Sequence, residues 1–451
     1  ETGRYVYGTD SRGRDTAALV VIDSNDGQTQ VLAEDPRADA TGDVFVHPKQ
    51  KHVQAAAFNY ERREWKVIDP DVKADFEYLK TVVDGDFDVT SRTLDDKTWT
   101  VAYVVSDGPV RYYVYDRPAK KATFLFTNRP ALEQLKLAKM RAVTIKSRDG
   151  LDLVSYLTLP VGTLAGIPHP KHGDRKKLGD APRAKPLPMV LLVHGGPWSR
   201  DVWGLNSSHQ WLANRGYAVL SVNYRGSTGF GKKFVNASNR EWGGKMHDDL
   251  IDAVNWAVKQ GYADKDKVAI MGGSYGGYAT LVGVTMTPDV FACGVNIVGL
   301  SNLLTFLKTI PPYWESGRAM WYARMGDETT EEGRKLLEER SPLTHVDKIK
   351  KPLLIGHGAN DPRVKQSESD QIVKTMQEKG LPVTYVLYPD EGHGFGRPEN
   401  RLSFNAVAEQ FLARHLGGRA EPVGKDFEGS TIEVKAGAEH VKGLEESLVR
   451  K

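Results

Sequence analysis

Val268-Ala269-Ile270-Met271-Gly272-Gly273-Ser274-Tyr275-Gly276-Gly277 decides how this chain is read. Four apolar residues make a short strand of the kind buried on both faces, and a helical run begins at Tyr278. Between them stands Gly-x-Ser-x-Gly, from Gly272 to Gly276. A serine hydroxyl is a poor nucleophile, and a tight strand-to-helix turn pushes its oxygen out of the sheet, with glycines on either side leaving the room that turn needs. The same turn aims the backbone N–H of Tyr275, at the start of the helix, to where a tetrahedral oxyanion would form. Ser274 is the candidate nucleophile and Tyr275 the first candidate oxyanion donor.

Outward from this turn, strands and helices alternate. Met189-Val190-Leu191-Leu192-Val193 is an almost wholly apolar run, and Tyr217-Ala218-Val219-Leu220-Ser221-Val222 is a second strand. Residues 249–258 have helical apolar spacing at Leu250, Ile251, Val254 and Ala257. The runs 352–356 and 383–388 continue the set. Strand, helix, strand repetition means an α/β fold with a mainly parallel sheet and helices on both faces, its ligands at the carboxyl ends of the strands.

A serine on such an elbow needs a base and an orienting acid later in the chain, acid first. Asn360-Asp361-Pro362-Arg363 follows the strand at 352–356, and Asp390-Glu391-Gly392-His393-Gly394-Phe395 follows the last strand. We read His393 as general base and then acid, and Asp361 as the carboxylate that holds its tautomer. Asp390 and Glu391 compete for that role, but they share the loop of His393 and sit too near in sequence to reach the far ring nitrogen. His357 is read as a core histidine bonded to backbone. A second oxyanion donor is expected from the loop after an early strand, and His194-Gly195-Gly196-Pro197 supplies Gly196. If these assignments hold, Ser274→Ala removes hydrolysis and leaves the fold, and the rate falls as His393 takes up a proton.

The first part of the chain repeats. Val21-Ile22-Asp23, Val67-Ile68-Asp69 and Val114-Tyr115-Asp116 stand 46 and 47 residues apart, with short alternating runs between them. A period in the forties with about four strands per unit is the signature of β-propeller blades. About two and a half blades fit, and a plain β-sandwich is the alternative. The organisation read from the chain is thus a partial β-propeller at 1–132, an α/β-hydrolase catalytic domain at 133–418 opened by a helix over 133–141, and a C-terminal extension at 419–451 read as an extended tail.

Composition bounds the partners. Apolar residues are 40% and charged residues 26% of 451, an ordinary globular balance that excludes disordered or fibrous classes. A net charge of +3 gives no case for nucleic acid as the main partner. Residues 162–188 are basic and rich in Pro and Gly but lack the interleaved aromatics of a stacking surface, so they read as a solvated loop. No run approaches the 18 apolar residues of a membrane span. The chain begins Glu1-Thr2-Gly3-Arg4, which reads as a cut end, and cytoplasmic and secreted settings both stay open. The single cysteine, Cys293, excludes a disulfide scaffold and a four-cysteine zinc site. No metal cluster or phosphate loop of adequate spacing occurs, so no cofactor is expected.

The combination of HGGP at 194–197, Asn223-Tyr224-Arg225-Gly226-Ser227-Thr228-Gly229-Phe230-Gly231, GGSYGG at 272–277, Asn360-Asp361 and GHGF at 392–395 resembles the prolyl oligopeptidase family of serine peptidases, nearest its acylaminoacyl-peptidase and dipeptidyl-peptidase branches. The resemblance covers roughly 140–418, and the repeat before it is similar to that family's propeller. It implies hydrolysis of short peptides or acyl-peptides through an acyl-enzyme, with the propeller screening out folded substrates. It also implies a substrate-binding role for Arg363, and a specificity pocket from Val298, Phe306, Tyr275 and Tyr278. Relatives carry seven or eight blades, so about two hundred residues are expected to be missing at the front, and the open edges leave a homo-oligomer possible. A carboxylesterase is the alternative activity, since the same triad serves any acyl transfer. A binding protein on a relic hydrolase is the rival from another class, and the intact triad order speaks against it.

Overall fold

The computed structural model describes residues 3–163 and 185–449. The basic segment read as a surface loop lies, over 164–184, outside the described residues.

The repeat folds as three antiparallel sheets. The first holds β1 (Tyr5–Asp10), β2 (Ala18–Asp23) and β3 (Thr29–Ala33); the second β4 (Ala40–Val46), β5 (Val53–Asn59) and β6 (Arg63–Val67); the third β7 (Asp86–Arg92), β8 (Thr98–Val104), β9 (Arg111–Asp116) and β10 (Lys121–Thr127). These sheets form a partial β-propeller ahead of the hydrolase domain. After β6 the chain forms α1 (Lys73–Val82), a helix that the strand repeat did not lead one to expect. Its Phe76 and Leu79 pack with Phe45, Trp65, Phe87 and Trp99, closing the second and third sheets over one aromatic core. Asp75 on the same helix accepts from the Tyr115 hydroxyl at 2.7 Å and Arg117 Nε at 2.8 Å.

The larger sheet has nine strands. They are β11 (Met140–Lys146), β12 (Asp152–Thr158), β13 (Leu187–Val193), β14 (Ala218–Val222), β15 (Ala263–Gly273), β16 (Cys293–Ile297), β17 (Leu353–Gly358), β18 (Val383–Tyr388) and β19 (Glu433–Ala436), in the order β11-β12-β14-β13-β15-β16-β17-β18-β19. From β14 to β18 all neighbours are parallel. The near-continuous apolar runs follow from burial of both faces. Met189 and Leu191 enter one core with Ile270 and Ile355, whereas Val190 enters the opposite core with Ala269, Val295 and Leu354. The helices of this part are α2 (Ser207–Asn214), α3 (Lys232–Asn236), α4 (Lys245–Lys259), α5 (Tyr275–Met286), α6 (Leu303–Lys308), α7 (Arg318–Arg324), α8 (Glu331–Glu339), α9 (Ser367–Glu378), α10 (Pro398–Leu416) and α11 (Leu444–Val449), of which α2, α4, α5, α9 and α10 pack on the sheet.

Two expectations are corrected. Residues 133–141 form no helix: after a short helical turn at Pro130–Leu132 the chain runs irregularly over 133–139 into β11. Leu135 is exposed whereas Ala138 and Met140 are buried, so the apolar side chains that enter the core are two apart, as in a strand. The segment after 418 is not an extended tail. Its β19 lies antiparallel on β18, and Val423, Phe427, Ile432, Val441 and Leu444 are buried in the core beneath α10.

The two parts are joined by directional contacts. Arg200 donates to the carbonyls of Asn59 at 2.7 Å and Tyr60 at 2.8 Å, and its guanidinium covers the Phe230 ring. Asp39 accepts from Gly231 N–H at 3.2 Å while its own N–H meets Gly229 O at 3.0 Å. Arg62 lies 3.7 Å over the Trp203 ring. Among the described residues no helix is long and apolar enough to cross a membrane.

Candidate active site

β15 runs straight into α5, and Ser274 at the junction has φ 58° and ψ −117°, a conformation with a steric cost for any residue bearing a Cβ. The surroundings hold it there. Ser274 N–H donates to Ile297 O at 2.9 Å, tying the elbow to β16. A Cβ at Gly276 would lie 2.1 Å from Val193 O, and one at Gly272 would lie 2.6 Å from Gly276 C, so backbone fills the space that side chains would need. From Tyr275 to Thr285 every residue of α5 is buried, which makes it a central helix with its N-terminus under the nucleophile.

The loop after β17 carries Asp361 and the loop after β18 carries His393. His393 Nδ1 stands 2.7 Å from Asp361 Oδ2. A carboxylate only accepts, so Nδ1 bears the hydrogen and Nε2 is left as the acceptor. The other carboxylate oxygen accepts from Arg363 N–H at 2.8 Å and Val364 N–H at 3.0 Å. Burial pushes the Asp361 carboxyl up, but the hydrogen bond and charge of His393, with those two amides, outweigh it and hold the group below the usual carboxylate range. His357 also lies 3.8 Å from Asp361 Oδ2, yet its nitrogens are bonded to Ser369 Oγ at 2.8 Å and Val364 O at 3.0 Å. Burial lowers its pKa, and it sits beneath the acid loop as a neutral support.

The competing acids have other partners. Glu391 accepts from the N–H groups of Gly396 at 2.8 Å and Arg397 at 2.9 Å and from Asn400 Nδ2 at 2.8 Å, which shapes the loop on which His393 stands. Asp390 pairs with Arg397 and the Thr431 hydroxyl. Asn400 in turn accepts from Thr431 N–H at 3.0 Å, so the C-terminal segment braces the His393 loop. None of this was legible from spacing, because the partners of Glu391 and Asn400 are backbone amides and side chains that folding brings together.

The 194–197 turn lies against Ser274: a Cβ on Gly195 would be 3.3 Å from Ser274 Cβ and 3.0 Å from Gly273 O. Gly196 has φ 126° and precedes a cis peptide to Pro197. The pocket residues behave unequally. Arg363 is exposed and has no ion pair among the described residues. Val298, Phe306 and Tyr275 are buried, with Phe306 edge-on to Trp321 at 5.6 Å. Tyr278 is fully buried with its hydroxyl on Arg340 O at 2.8 Å, and its ring lies 5.5 Å from that of Tyr275. The sequence reading missed Glu368, a buried carboxylate on α9. It accepts from Ser301 and Asn302 N–H, both at 2.9 Å, and so clamps the segment that links Val298 to Phe306.

An elbow serine after β15, a histidine–carboxylate pair after β17 and β18 and a glycine turn beside the serine lie on a sheet of the α/β-hydrolase fold. Residues 203–419 match the prolyl oligopeptidase family. It is 60% identical over 446 residues to dipeptidyl aminopeptidase BIII of Pseudoxanthomonas mexicana, covering 99% of this chain and 63% of that protein. It is 43% identical over 445 residues to dipeptidyl peptidase family member 6 of Caenorhabditis elegans, covering 97% of this chain and 60% of that protein. Among solved structures, a Mycobacterium tuberculosis puromycin-hydrolyzing peptidase superposes with TM-score 0.73 at 23% identity, over 93% of this chain and 61% of that one. The chain therefore spans about three-fifths of the length of these relatives.

Proposed function

We propose that the chain hydrolyses peptide bonds of short oligopeptides or acyl-peptides through an acyl-enzyme on Ser274. The observation that carries the reading is the 2.7 Å contact of His393 Nδ1 with Asp361 Oδ2, at strand ends that follow an elbow serine in the order the chemistry needs. Ser274 Oγ attacks the scissile carbonyl carbon while His393 Nε2 takes its proton. The carbon–nitrogen bond breaks as His393 returns that proton to the leaving amine. A water then loses a proton to His393 and attacks the acyl carbon, and the ester bond to Ser274 breaks with the proton returning to Oγ. The N–H groups of Tyr275 and Gly196 receive the negative oxygen at each step. Asp361 stays ionised and stabilises the imidazolium.

Arg363, exposed beside the acid, binds a substrate carbonyl or carboxylate. Val298 and Phe306 form the wall behind the side chain next to the scissile bond, with Tyr278 backing them from the core. The 60% identity to a dipeptidyl aminopeptidase favours substrates with a free amino terminus over blocked ones. It also favours amide cleavage over the carboxylesterase alternative.

The test compares kcat/KM on dipeptidyl and acetyl-dipeptidyl anilides and on short aryl esters, with Ser274→Ala as blank. Turnover of free-ended anilides, absent in Ser274→Ala, supports the reading. Turnover of esters alone, or anilide turnover that survives Ser274→Ala, overturns it.

A further inference from the structure

We propose that Arg324, at the end of α7, is a carboxylate-binding position at the rim of the substrate pocket, where its guanidinium takes an anionic group of the peptide. It rests on the peptidase reading of the site and adds to it one chemistry of substrate.

The glycine turn beside Ser274 runs on into Trp198, two residues after Gly196. The Trp198 ring lies 5.2 Å from that of Trp321 and 6.3 Å from that of Trp242. Trp321 meets Phe306 edge-on at 5.6 Å, and Trp242 meets Tyr275, the residue after Ser274, at 4.6 Å. This cluster of rings therefore joins the turn, the elbow and the apolar wall into one border of the substrate space. Arg324 places its guanidinium 4.6 Å from the centre of the Trp198 ring, one side chain removed from the turn. The ring face supports the cation from one side and leaves the edge of the planar fork for a ligand.

What carries the inference is that this wall is short of acceptors. Among the described residues the half-buried guanidinium of Arg324 has no ion pair and no hydrogen bond; burial lowers its pKa, and no acid acts against that. Acids of the same segment turn to other partners. Glu315 and Glu328 face Arg318 at 2.7 and 3.5 Å, Asp327 accepts from Thr329 N–H at 2.9 Å, and Glu332 faces Arg240 at 3.1 Å. A second and independent sign lies in the rings themselves. The indole N–H groups of Trp198 and Trp242 are enclosed and have no acceptor among the described residues. Buried donors without partners are destabilising, and folds keep such defects where function needs them. The group that suits a donor-rich wall with an unpaired guanidinium is planar, anionic and has two acceptor oxygens, which describes a carboxylate. A short peptide carries one at the end of its leaving segment, or on an acidic side chain next to the scissile bond.

The experiment measures kcat/KM, normalised to fluorophosphonate-labelled sites, on two matched pairs. One pair is a free-ended tripeptide and its C-terminal amide; the other is a free-ended dipeptidyl anilide with Asp or with Asn next to the scissile bond. We expect the wild-type chain to favour the acid member of one pair by about 10-fold or more, and that pair names the source of the carboxylate. In Arg324→Gln the members of that pair come within about 2-fold of each other, while Arg324→Lys, which keeps the charge and loses the fork, retains a smaller preference. Raising the ionic strength from about 0.05 to about 0.5 M narrows the wild-type preference, a reading that needs no variant to fold. A wild-type ratio within about 2-fold in both pairs overturns the proposal, as does a preference that survives Arg324→Gln, which would assign it to another cation such as Arg363. Turnover of free-ended anilides without any such preference overturns this inference alone. A wild-type chain that turns over neither anilide nor peptide overturns the peptidase reading, and this inference with it.

Discussion

Asp361 divides its oxygens between one imidazole and two backbone amides, and this division decides what a substitution there does. In Asp361→Asn the amide must present either its NH2 to His393 Nδ1–H or to the N–H groups of Arg363 and Val364. A donor meets a donor in either case. We expect kcat to fall by about 10³ to 10⁴ with the fold kept, read from steady-state kinetics normalised to fluorophosphonate-labelled sites. A loss under tenfold would show that the imidazole does not depend on this carboxylate. Gly276 gives the opposite kind of prediction. Its absent Cβ would sit 2.1 Å from the backbone oxygen of Val193, so Gly276→Ala should leave little folded protein, seen as loss from the soluble fraction. Both residues were legible in the sequence because the elbow is a local pattern and because the order of acid and histidine follows from the order of the strands. Glu368 and Glu391 were not legible, because an acid that caps backbone amides has no preferred spacing to the residues it serves.

At the scale of elements, the segment after α10 matters most. β19 extends the sheet beyond β18, and the chain before it buries Phe427 against the face of α10. Phe427→Ala should cost about 3–5 kcal/mol of unfolding free energy, measured by denaturant melts. A change below about 1 kcal/mol would mean that the segment is only lightly attached. The reading as a tail arose because residues 417–451 lack periodicity, and a four-residue strand completed by a neighbour has too few residues to show it. α1 carried a signal that the repeat overshadowed. Val72, Phe76, Leu79 and Val83 follow helical spacing, whereas the period of 46 drew the reading to the strands on either side. The segment at 133–141 erred the other way: its helix-forming residues bury Ala138 and Met140, two apart, and Met140 enters β11.

The whole molecule has a pH dependence that no single element shows. His209, enclosed between Thr158 and Ser221 hydroxyls, is pulled by burial from 6.5 to about 3, and His247 on α4 from 6.5 to about 4. Between those values and about 6.5 the unfolded chain binds protons that the folded chain refuses, so stability falls as pH drops through this window and is full above it. Guanidinium midpoints should therefore decline from pH 7 to pH 5, and His247→Gln should flatten the decline. A midpoint independent of pH over that range, or an unchanged slope in the variant, would refute this. The union of the two parts is open to the same kind of test. Arg200→Leu leaves the carbonyls of Asn59 and Tyr60 without their donor and should split one calorimetric transition into two.

The sequence by itself determined the motifs and their order along the chain: a Gly-x-Ser-x-Gly turn between strand and helix, then an acid, then a histidine, on a parallel sheet behind a repeated β scaffold. These are patterns within a few residues or in the succession of elements, and local geometry is encoded locally. Tertiary structure alone decided what holds that chemistry in place. Ser227 meets His194 across 33 positions and Thr431 meets Asn400 across 31, and such pairs are selected by the path of the folded chain through space, which no spacing rule records.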